Sequence, residues 1–399
     1  MKIIIFQENE TQGGLDTFCK NLIEHWPSGD SFVIVCNSFH EGIPTLRKIK
    51  NAQVYEHNIL INWQLMRRMT HSPKILNRII AKFLRLGLIM YQRIKIRKLF
   101  LKINADELIV VNGSFPGGET CRQANIVWNK VYKKKSLHTL HGFAVQPNFL
   151  NSYIEHHLTN QLIDSNVEFI SVSNYVKDSI VKYPGFRSRV STIYNGTSNE
   201  GSSTDVLNLR KIIGLGAESK ILIMLGSYHV NKGHEFLFKV MEKVHKKYND
   251  CHLVTFGGHE AGLEKIKILA NKSSSSDKIH ILAYINDARN IIKQANILVA
   301  PTQTEEAFGL SVIESMANSI PVVCTNVGGM KEIFGDNNPP IGMISRKDDI
   351  AKFSDNIIKL LNDEELCNTM GVAGKERVDK YFSAQIMAHQ YYQRLFNLK

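Results

Sequence analysis

Short apolar runs alternate with stretches of helical periodicity along most of the chain. The apolar runs of the first half are bounded by polar residues or glycine and lie at Ile3–Phe6, Phe32–Cys36, Leu108–Val111, Leu137–His141, Phe169–Val172 and Val190–Tyr194. Apolar residues recur at helical spacing over 15–25, 64–102, 119–132, 149–163 and 174–182. Strands that alternate with helices in this way predict a parallel sheet covered by helices.

The same alternation begins again after residues 195–204, whose small polar side chains predict a linker. Strands are predicted at 221–225, 253–256, 279–282, 297–300, 322–324 and 341–344, and helices at 234–247, 260–271, 287–294, 310–318, 348–361, 364–380 and 384–396. A chain of 399 residues is also too long for one ordinary core. We therefore expect an α/β protein of two doubly wound domains that binds ligands at the carboxyl ends of its strands.

Two glutamates flank a predicted helix start, directly after the apolar run 297–301. Glu306 lies in the loop, and Glu314 lies within the helix that begins near Gly309. Amides at a helix start attract phosphate, and carboxylates accept hydrogen bonds from hydroxyl groups. The pair therefore fits a sugar nucleotide, with the diphosphate at the helix start, Glu306 on the sugar and Glu314 on the ribose. The alternative is two exposed acidic residues, which are common near helix starts.

The segment Glu306-Ala-Phe-Gly-Leu-Ser-Val-Ile-Glu314, followed by the strand pattern at Pro321 and by Gly328-Gly329, resembles the E-x7-E signature of retaining glycosyltransferases of family four, the group 1 transferases. The resemblance extends over almost the whole chain. It implies the GT-B fold, in which two Rossmann-like domains face each other across a cleft. We expect an acceptor-side domain over 1–197, a nucleotide-sugar-binding domain over 198–383, and a last helix, 384–399, that crosses back to the first domain.

The resemblance also implies which residues of the second domain bind the donor. These are Lys232, Tyr284, Ile285, Phe308, Gly309, Leu310 and Glu314, with Glu306 as a catalytic residue that holds the sugar. Lys232 ends a segment that is similar to the family's Gly-Arg-x-x-x-x-Lys-Gly, whose cations neutralise the diphosphate. Ser227 stands where that motif has arginine, so the site lacks one bidentate phosphate ligand.

Two segments of the first domain have counterparts in the family. Gly13 and Gly14 follow the first strand and precede a helix, so their backbone can approach a donor phosphate or the acceptor, although a tight turn would look the same. His141 ends a predicted strand and, with Gly142, resembles the family's Thr-x-His-Gly. The resemblance places this imidazole near the donor sugar as a second catalytic residue, and a core histidine is the alternative.

The sequence contains no Asp-x-Asp triplet, so we expect no bound metal and no other cofactor. The family implies front-face transfer with retention, in which the leaving phosphate accepts the proton of the acceptor. Neither Gly-x-Ser-x-Gly nor Gly-x-Gly-x-x-Gly occurs, which argues against a serine hydrolase and a dehydrogenase. The six cysteines form no Cys-x-x-Cys pair and are expected to be reduced.

Positive charge is concentrated in one segment. The net charge is +12, and eleven lysines and arginines lie between Glu56 and Asp106, where no acidic residue occurs. With its apolar residues at helical spacing, the segment predicts a basic amphipathic helix over 64–102 that contacts an anionic membrane surface. The alternative is a helix docked on its own domain with a solvated basic face. Nucleic acid is not expected, because no nucleic-acid-binding motif accompanies the charge.

These features together predict an enzyme that transfers a sugar from a nucleotide-diphosphate sugar to a glycan acceptor. The basic helix suggests a lipid-linked saccharide, in polysaccharide or lipopolysaccharide biosynthesis. The first residues, Met1–Phe6, do not resemble a secretory signal, so a cytoplasmic enzyme peripheral to the inner face of the cell membrane is expected. The alternatives are a nucleotide-sugar epimerase or phosphorylase on the same fold, and a non-catalytic membrane-surface binding protein. No motif specifies the sugar, base, acceptor or linkage.

Overall fold

The computed structural model describes residues 1–62, 64, 74–147, 152–198, 208–258, 260–283, 289–335 and 340–398. The chain forms two compact units, Met1–Ile193 with Ala388–Lys399, and Tyr194–Met387. Each unit is built on one sheet whose paired strands are all parallel. This confirms the predicted class, two doubly wound α/β domains.

The first unit contains a seven-stranded sheet. Its strands are β1 (Lys2–Gln7), β2 (Ser31–Asn37), β3 (Ala52–His57), β4 (Glu107–Asn112), β5 (Ser136–Leu140), β6 (Val167–Ser171) and β7 (Val190–Thr192). Its helices are α1 (Gly14–Glu24), α2 (Ile43–Leu46), α3 (Lys74–Ile103), α4 (Glu119–Tyr132), α5 (Ser152–Ile163) and α6 (Asn174–Val181). The strand order is β3-β2-β1-β4-β5-β6-β7, so the winding direction reverses between β1 and β4.

The second unit contains a six-stranded sheet in the order β10-β9-β8-β11-β12-β13. Its strands are β8 (Lys220–Leu225), β9 (Cys251–Phe256), β10 (Ile279–Leu282), β11 (Ile297–Ala300), β12 (Val322–Thr325) and β13 (Met343–Ser345). Its helices are α7 (Leu209–Ile213), α8 (His234–His245), α9 (Glu260–Asn271), α10 (Arg289–Ile292), α11 (Leu310–Ala317), α12 (Met330–Phe334), α13 (Ile350–Asn362) and α14 (Glu364–Tyr381). The last helix, α15 (Ala384–Leu395), continues into the first unit from Ala388.

The central strands form because their sequences are apolar on both faces, as a sheet covered by helices on each side requires. In β1, Ile3, Ile4, Ile5 and Phe6 are all fully buried. The edge strand β3 is different, since its Gln53 is exposed and its Val54 and Tyr55 are only half-buried. The apolar-run criterion therefore missed β3, and it also missed the short helices α2 and α7.

The predicted basic helix is present as α3, which begins at Lys74. Residues 63 and 65–73 lie outside the described residues, as does the part of the predicted linker from 199 to 204. Among the described residues, no helix combines the length and the hydropathy that a bilayer crossing needs.

Candidate functional site

The candidate site of the second unit lies where the winding of its sheet reverses. The chain runs outward from β8 through β10 and then returns to the other side of β8 with β11. In open α/β sheets, ligands bind at such a reversal, beyond the carboxyl ends of the strands. Lys232 follows β8 and Glu306 follows β11, so the order of the strands brings two distant parts of the sequence together.

Lys232 and Glu306 form an ion pair at this point. The Lys232 ammonium donates to Oε2 of Glu306 over 2.6 Å, and the Thr302 hydroxyl lies 3.4 Å from the same oxygen. The side chains of Lys232 and Glu306 are 27% and 20% exposed, so both remain accessible to a ligand. The cation predicted for a phosphate thus lies beside the carboxylate predicted for a sugar.

The loops that carry the pair are held in contact by backbone interactions. Gly233, just after Lys232, has φ +84°, and a Cβ there would lie 2.0 Å from the Pro301 carbonyl oxygen. The Gln303 amide donates to the Asn231 carbonyl over 3.0 Å. Glycine at 233 therefore allows the loops after β8 and β11 to approach closely enough for the ion pair.

A second glycine positions Glu306 from the other side. Gly328 has φ +54°, and a Cβ there would meet the Glu306 carbonyl oxygen at 2.1 Å. The next amide, of Gly329, donates to that same carbonyl over 2.8 Å. The Gly328-Gly329 pair after β12 thus fixes the backbone from which the Glu306 side chain extends.

The predicted helix start is present immediately after this loop. Gly309 has φ +113° and caps α11, whose first residue is Leu310. The first amides of a helix lack partners within the helix and point outward from its start. Glu314 lies one turn into α11 and is half-buried, as Leu310 is. Glu306 and the first turn of α11 therefore belong to one continuous segment, 306–314.

Phe308 lies inside this segment, but its side chain is buried. Its ring stacks on Tyr194 at 5.8 Å between centroids and meets Phe382 at 5.6 Å. The Tyr194 hydroxyl donates to Oε2 of Glu332 over 3.0 Å. Any donor contact at Phe308 must therefore come from its backbone. Tyr194, Glu332 and Phe382 were missed as supports of this loop, because no local pattern connects residues so far apart in the sequence.

Ser227, Tyr284 and Ile285 are the other positions of the second unit that the sequence assigns to the donor side. Ser227 is half-buried, two residues after β8, where the family motif has arginine. Tyr284 and Ile285 lie outside the described residues. Their predicted role at the nucleotide base stays a prediction.

In the first unit, Gly13 and Gly14 form the entry to α1. Gly13 has an extended backbone, and its amide donates to Asp16 Oδ2 over 2.9 Å. Asp16 in turn contacts Nε2 of His40 at 2.7 Å. A Cβ built on Gly13 would meet no atom within 4 Å. The loop is therefore held on its inner side by Asp16 and open at Gly13.

His141 lies one residue beyond β5. Its ring packs edge-on against Phe18 at 4.4 Å, and its Nε2 lies 3.2 Å from the Thr139 hydroxyl, which contacts the Tyr391 hydroxyl at 2.7 Å. Burial lowers the pKa of His141 to about 3. The imidazole is therefore neutral near pH 7, and it can exchange hydrogen bonds but supplies no positive charge.

One residue at the reversal of the first sheet was not predicted. Glu8 follows β1, and its Oε2 accepts from the amide of Thr120 at 2.9 Å and from the hydroxyl of the same residue. Burial raises the pKa of this carboxyl group. Glu8 directly follows β1, and the winding of the first sheet reverses between β1 and β4. A search for polar residues at that reversal would have identified it.

Comparison with known proteins gives matches over both units. Residues 205–377 match the family model described as glycosyl transferases group 1. An uncharacterized glycosyltransferase of Methanocaldococcus jannaschii is 28% identical over 294 residues, 72% of this chain and 74% of that protein. The capsular polysaccharide biosynthesis glycosyltransferase CapM of Staphylococcus aureus is 28% identical over 229 residues, which cover 46% of this chain and 59% of CapM.

A solved structure extends the likeness to the whole fold. The crystal structure of Anabaena Alr3699/HepE in complex with UDP-glucose matches with a TM-score of 0.73, over 100% of both chains and at 14% identity. At this identity the match concerns the fold alone, and it confirms the predicted GT-B architecture.

Proposed function

We propose that the chain is a group 1 glycosyltransferase, which transfers a sugar from a nucleotide-diphosphate sugar to a glycan acceptor, because residues 205–377 match that family's model and its relatives include glycosyltransferases. The observation that carries this proposal is the Lys232–Glu306 pair at the reversal of the second sheet. It places one cation and one carboxylate beside a helix start. The cation and the amides of the helix start are suited to a diphosphate, and the carboxylate is suited to the hydroxyl groups of a sugar.

In this proposal the donor occupies the second unit. Its diphosphate binds the Lys232 ammonium and the backbone amides of Gly309 and Leu310. Glu314 binds the ribose, and Glu306 binds the hydroxyl groups of the sugar. Because Lys232 already contacts Glu306, phosphate binding would turn the ammonium toward the diphosphate and free the carboxylate for the sugar.

We propose a retaining transfer without a metal ion or other cofactor. The bond between the anomeric carbon and the diphosphate oxygen breaks as the acceptor oxygen bonds to the same face of the sugar. The acceptor proton passes to the leaving phosphate. Lys232 and the start of α11 stabilise the charge that develops there, as positioned cations and amides do. The neutral imidazole of His141 can exchange hydrogen bonds with a saccharide but supplies no charge to it.

The acceptor in this proposal is a saccharide that becomes part of a surface polysaccharide. The similarity to CapM, which is named for capsular polysaccharide biosynthesis, supports that class. We extend it to a lipid-linked acceptor, with the enzyme peripheral to the inner face of the membrane, because eleven of the positive charges lie in the segment that contains α3. Cations near an anionic surface each add about 1 kcal/mol of attraction.

The test is a donor and product assay on the full chain. Uridine and guanosine diphosphate sugars are first screened by thermal shift, since a ligand that binds only the folded state raises its stability. The donor found is then incubated with lipid-linked saccharides, with and without a chelator. Nucleoside diphosphate and an extended acceptor with a retained anomeric configuration are expected, and the chelator should leave the rate unchanged. An isomerised donor, a sugar phosphate product or binding without turnover would overturn transfer.

A variant links this assay to the ion pair. Lys232→Met should raise the donor KM about tenfold or more, because the diphosphate loses its charge-assisted partner. Lys239→Met removes an exposed lysine on α8 that pairs with Glu235 at the surface, and it is the matched control. Equal donor KM values in the two variants would remove Lys232 from the phosphate site.

A further inference from the structure

The outward side of α3 has an unusual composition between Leu84 and Ile103. Its exposed residues are Leu84, Leu86, Gly87, Met90, Tyr91, Ile94, Lys95, Arg97, Lys98, Leu101 and Lys102. Over this described stretch, every exposed position is therefore apolar, glycine or cationic. The outward face of a helix docked on a soluble domain is normally polar. Six of the eighteen large apolar side chains that are exposed in the described chain lie here, so this face is not ordinary surface.

Three strongly exposed apolar side chains form a line along this face. Met90, Ile94 and Leu101, which we call the apolar ridge, are 65%, 55% and 53% exposed. Their spacing of four and seven residues aligns them along one line of the helix. Lys95, Lys98 and Lys102, which we call the cationic flank, lie along one side of that line, and Arg97 lies on the line itself between Ile94 and Leu101. The exposed face therefore presents an apolar line bordered on one side by a row of lysines.

The opposite side of α3 is fixed to the first unit. Phe100 is fully buried in the core cluster with Trp128, and its carbonyl accepts from the Tyr132 hydroxyl over 2.9 Å. Arg85 pairs with Glu119 at 3.2 Å and also contacts Glu155. α3 is therefore a docked helix, and the apolar ridge cannot turn inward without breaking buried ion pairs.

Charge decides which partner fits this surface. A second copy of the chain, related by a two-fold axis, would place the cationic flank of one copy against that of the other. Like charges that face each other across an interface disfavour it. An anionic lipid surface offers phosphate groups to the cations and an apolar layer just beneath them. The observed arrangement matches that layering.

We propose that the apolar ridge inserts into the boundary between headgroups and acyl chains of an anionic bilayer, with α3 lying along the membrane surface and the cationic flank at the phosphate level. This inference rests on the membrane attachment in the proposed function and makes it more specific. Attachment by charge alone would be lost in high salt, whereas an inserted ridge retains part of its affinity, because burial of apolar surface is not screened.

The experiment measures sedimentation of the full chain with vesicles of phosphatidylglycerol and phosphatidylcholine, at low salt and at about 0.5 M NaCl, where the Debye length falls to about 4 Å. Met90→Gln/Ile94→Gln should lower the vesicle partition coefficient about tenfold or more at both salt concentrations. Lys95→Gln/Lys98→Gln should weaken binding mainly at low salt. The control Ile212→Gln/Val372→Gln changes two apolar side chains of the second unit with similar exposure, 51% and 56%, and should remain within about twofold of the wild type.

Three results would overturn the inference. The first is equal vesicle binding by the ridge variant and the wild type, and the second is no binding of the wild type to anionic vesicles. The third is a dimer, seen by light scattering without lipid, that the ridge variant dissociates. Transfer to a soluble acceptor is measured for each variant without vesicles. Normal turnover there, together with any of the three results, would reject the membrane surface and leave the proposed transfer intact.

Discussion

The Lys232 ammonium lies 2.6 Å from Oε2 of Glu306, so the proposed phosphate ligand and the proposed sugar ligand are already joined without a donor. Each belongs to a separate loop, one after β8 and the other after β11. Because these strands are neighbours, the two loops are rigidly related through the sheet. Both side chains are therefore in position before a donor binds. In the proposed complex, their ion pair is replaced by a contact of Lys232 with the diphosphate and a contact of Glu306 with the sugar.

Glu306→Gln should preserve the fold and lower turnover strongly. The amide has the shape of the carboxylate but loses the charge that pairs with Lys232 and that would accept strongly from the sugar hydroxyl groups. We expect kcat to fall by a factor on the order of 100, as when a positioned polar group at a reacting centre is removed. Steady-state kinetics with saturating donor measures this change.

The adjacent Glu305 offers a matched control for that substitution. It is exposed, and Glu305→Gln makes the same change of charge one residue away. Thermal unfolding of both variants shows whether the fold survives. Near-normal kcat in Glu306→Gln would reject its role at the sugar, and an equal loss in both variants would indicate only a change in local charge.

Glu314→Ala should weaken nucleotide binding with less effect on the chemical step. Glu314 is half-buried one turn into α11, in the segment that begins with Glu306, and its proposed partner is the ribose. Loss of one such hydrogen-bonded contact should raise the Kd of the nucleoside diphosphate about tenfold. Isothermal titration measures it, with exposed Glu365→Ala as control. A fall in kcat at an unchanged Kd would assign Glu314 to the sugar instead.

The sequence was sufficient to predict the two doubly wound units, because buried parallel strands are apolar throughout and can be distinguished from the helices between them. It also predicted Lys232 and Glu306 as donor residues from separate motifs. Their ion pair could not be read from either motif, because it depends on the order of the strands in the sheet. The packing of Tyr194 and Phe382 against Phe308 could not be predicted from the sequence either, because the three residues lie in segments that are far apart in the chain.

The edge strand β3 shows a different limit. Its sequence, Ala-Gln-Val-Tyr-Glu-His, contains no continuous apolar run, so a search for such runs does not distinguish it from a loop. In α3 the periodicity predicted a helix, but it did not separate the buried apolar residues from the exposed ones. That distinction needs the contacts of Phe100 and Arg85, which fix the rotation of the helix on the first unit.

Gly13→Ala should leave the fold intact and impair activity. The backbone of Gly13 is extended, and a Cβ there would meet no atom within 4 Å, so the free energy of unfolding should change by less than about 1 kcal/mol. If a phosphate or the acceptor approaches this backbone, the added methyl group will obstruct it and raise one KM about tenfold. Steady-state kinetics with each substrate varied in turn identifies which.

Gly29→Ala is the matched control, because Gly29 is exposed and a Cβ there also meets no atom within 4 Å. If Gly13→Ala and Gly29→Ala have equal activity, the first loop does not approach a substrate. If Gly13→Ala unfolds at a much lower denaturant concentration, its loss of activity is structural.

The stability of the first unit should fall as pH drops below 6.5, and His138 should account for part of this dependence. The ring is fully buried between the Asn112 and Asn125 side chains, at 3.2 and 2.8 Å, and burial, with a smaller effect of Arg122, lowers its pKa to about 3. Below pH 6.5 the unfolded chain binds a proton that the folded state excludes. Stability should therefore decrease by about 1.4 kcal/mol per pH unit from this group, between pH 6 and pH 4.

Urea unfolding at pH 7.5 and pH 5.0 measures this contribution in His138→Gln. The variant should be less stable than the wild type at both pH values, because the Asn112 and Asn125 side chains lose a partner, but its difference between the two pH values should be smaller by about 2 kcal/mol. His157→Gln removes an exposed histidine of α5 and should retain the full difference. An unchanged difference in His138→Gln would mean that this imidazole is protonated in the folded state as readily as in the unfolded chain, which burial between two amides makes unfavourable.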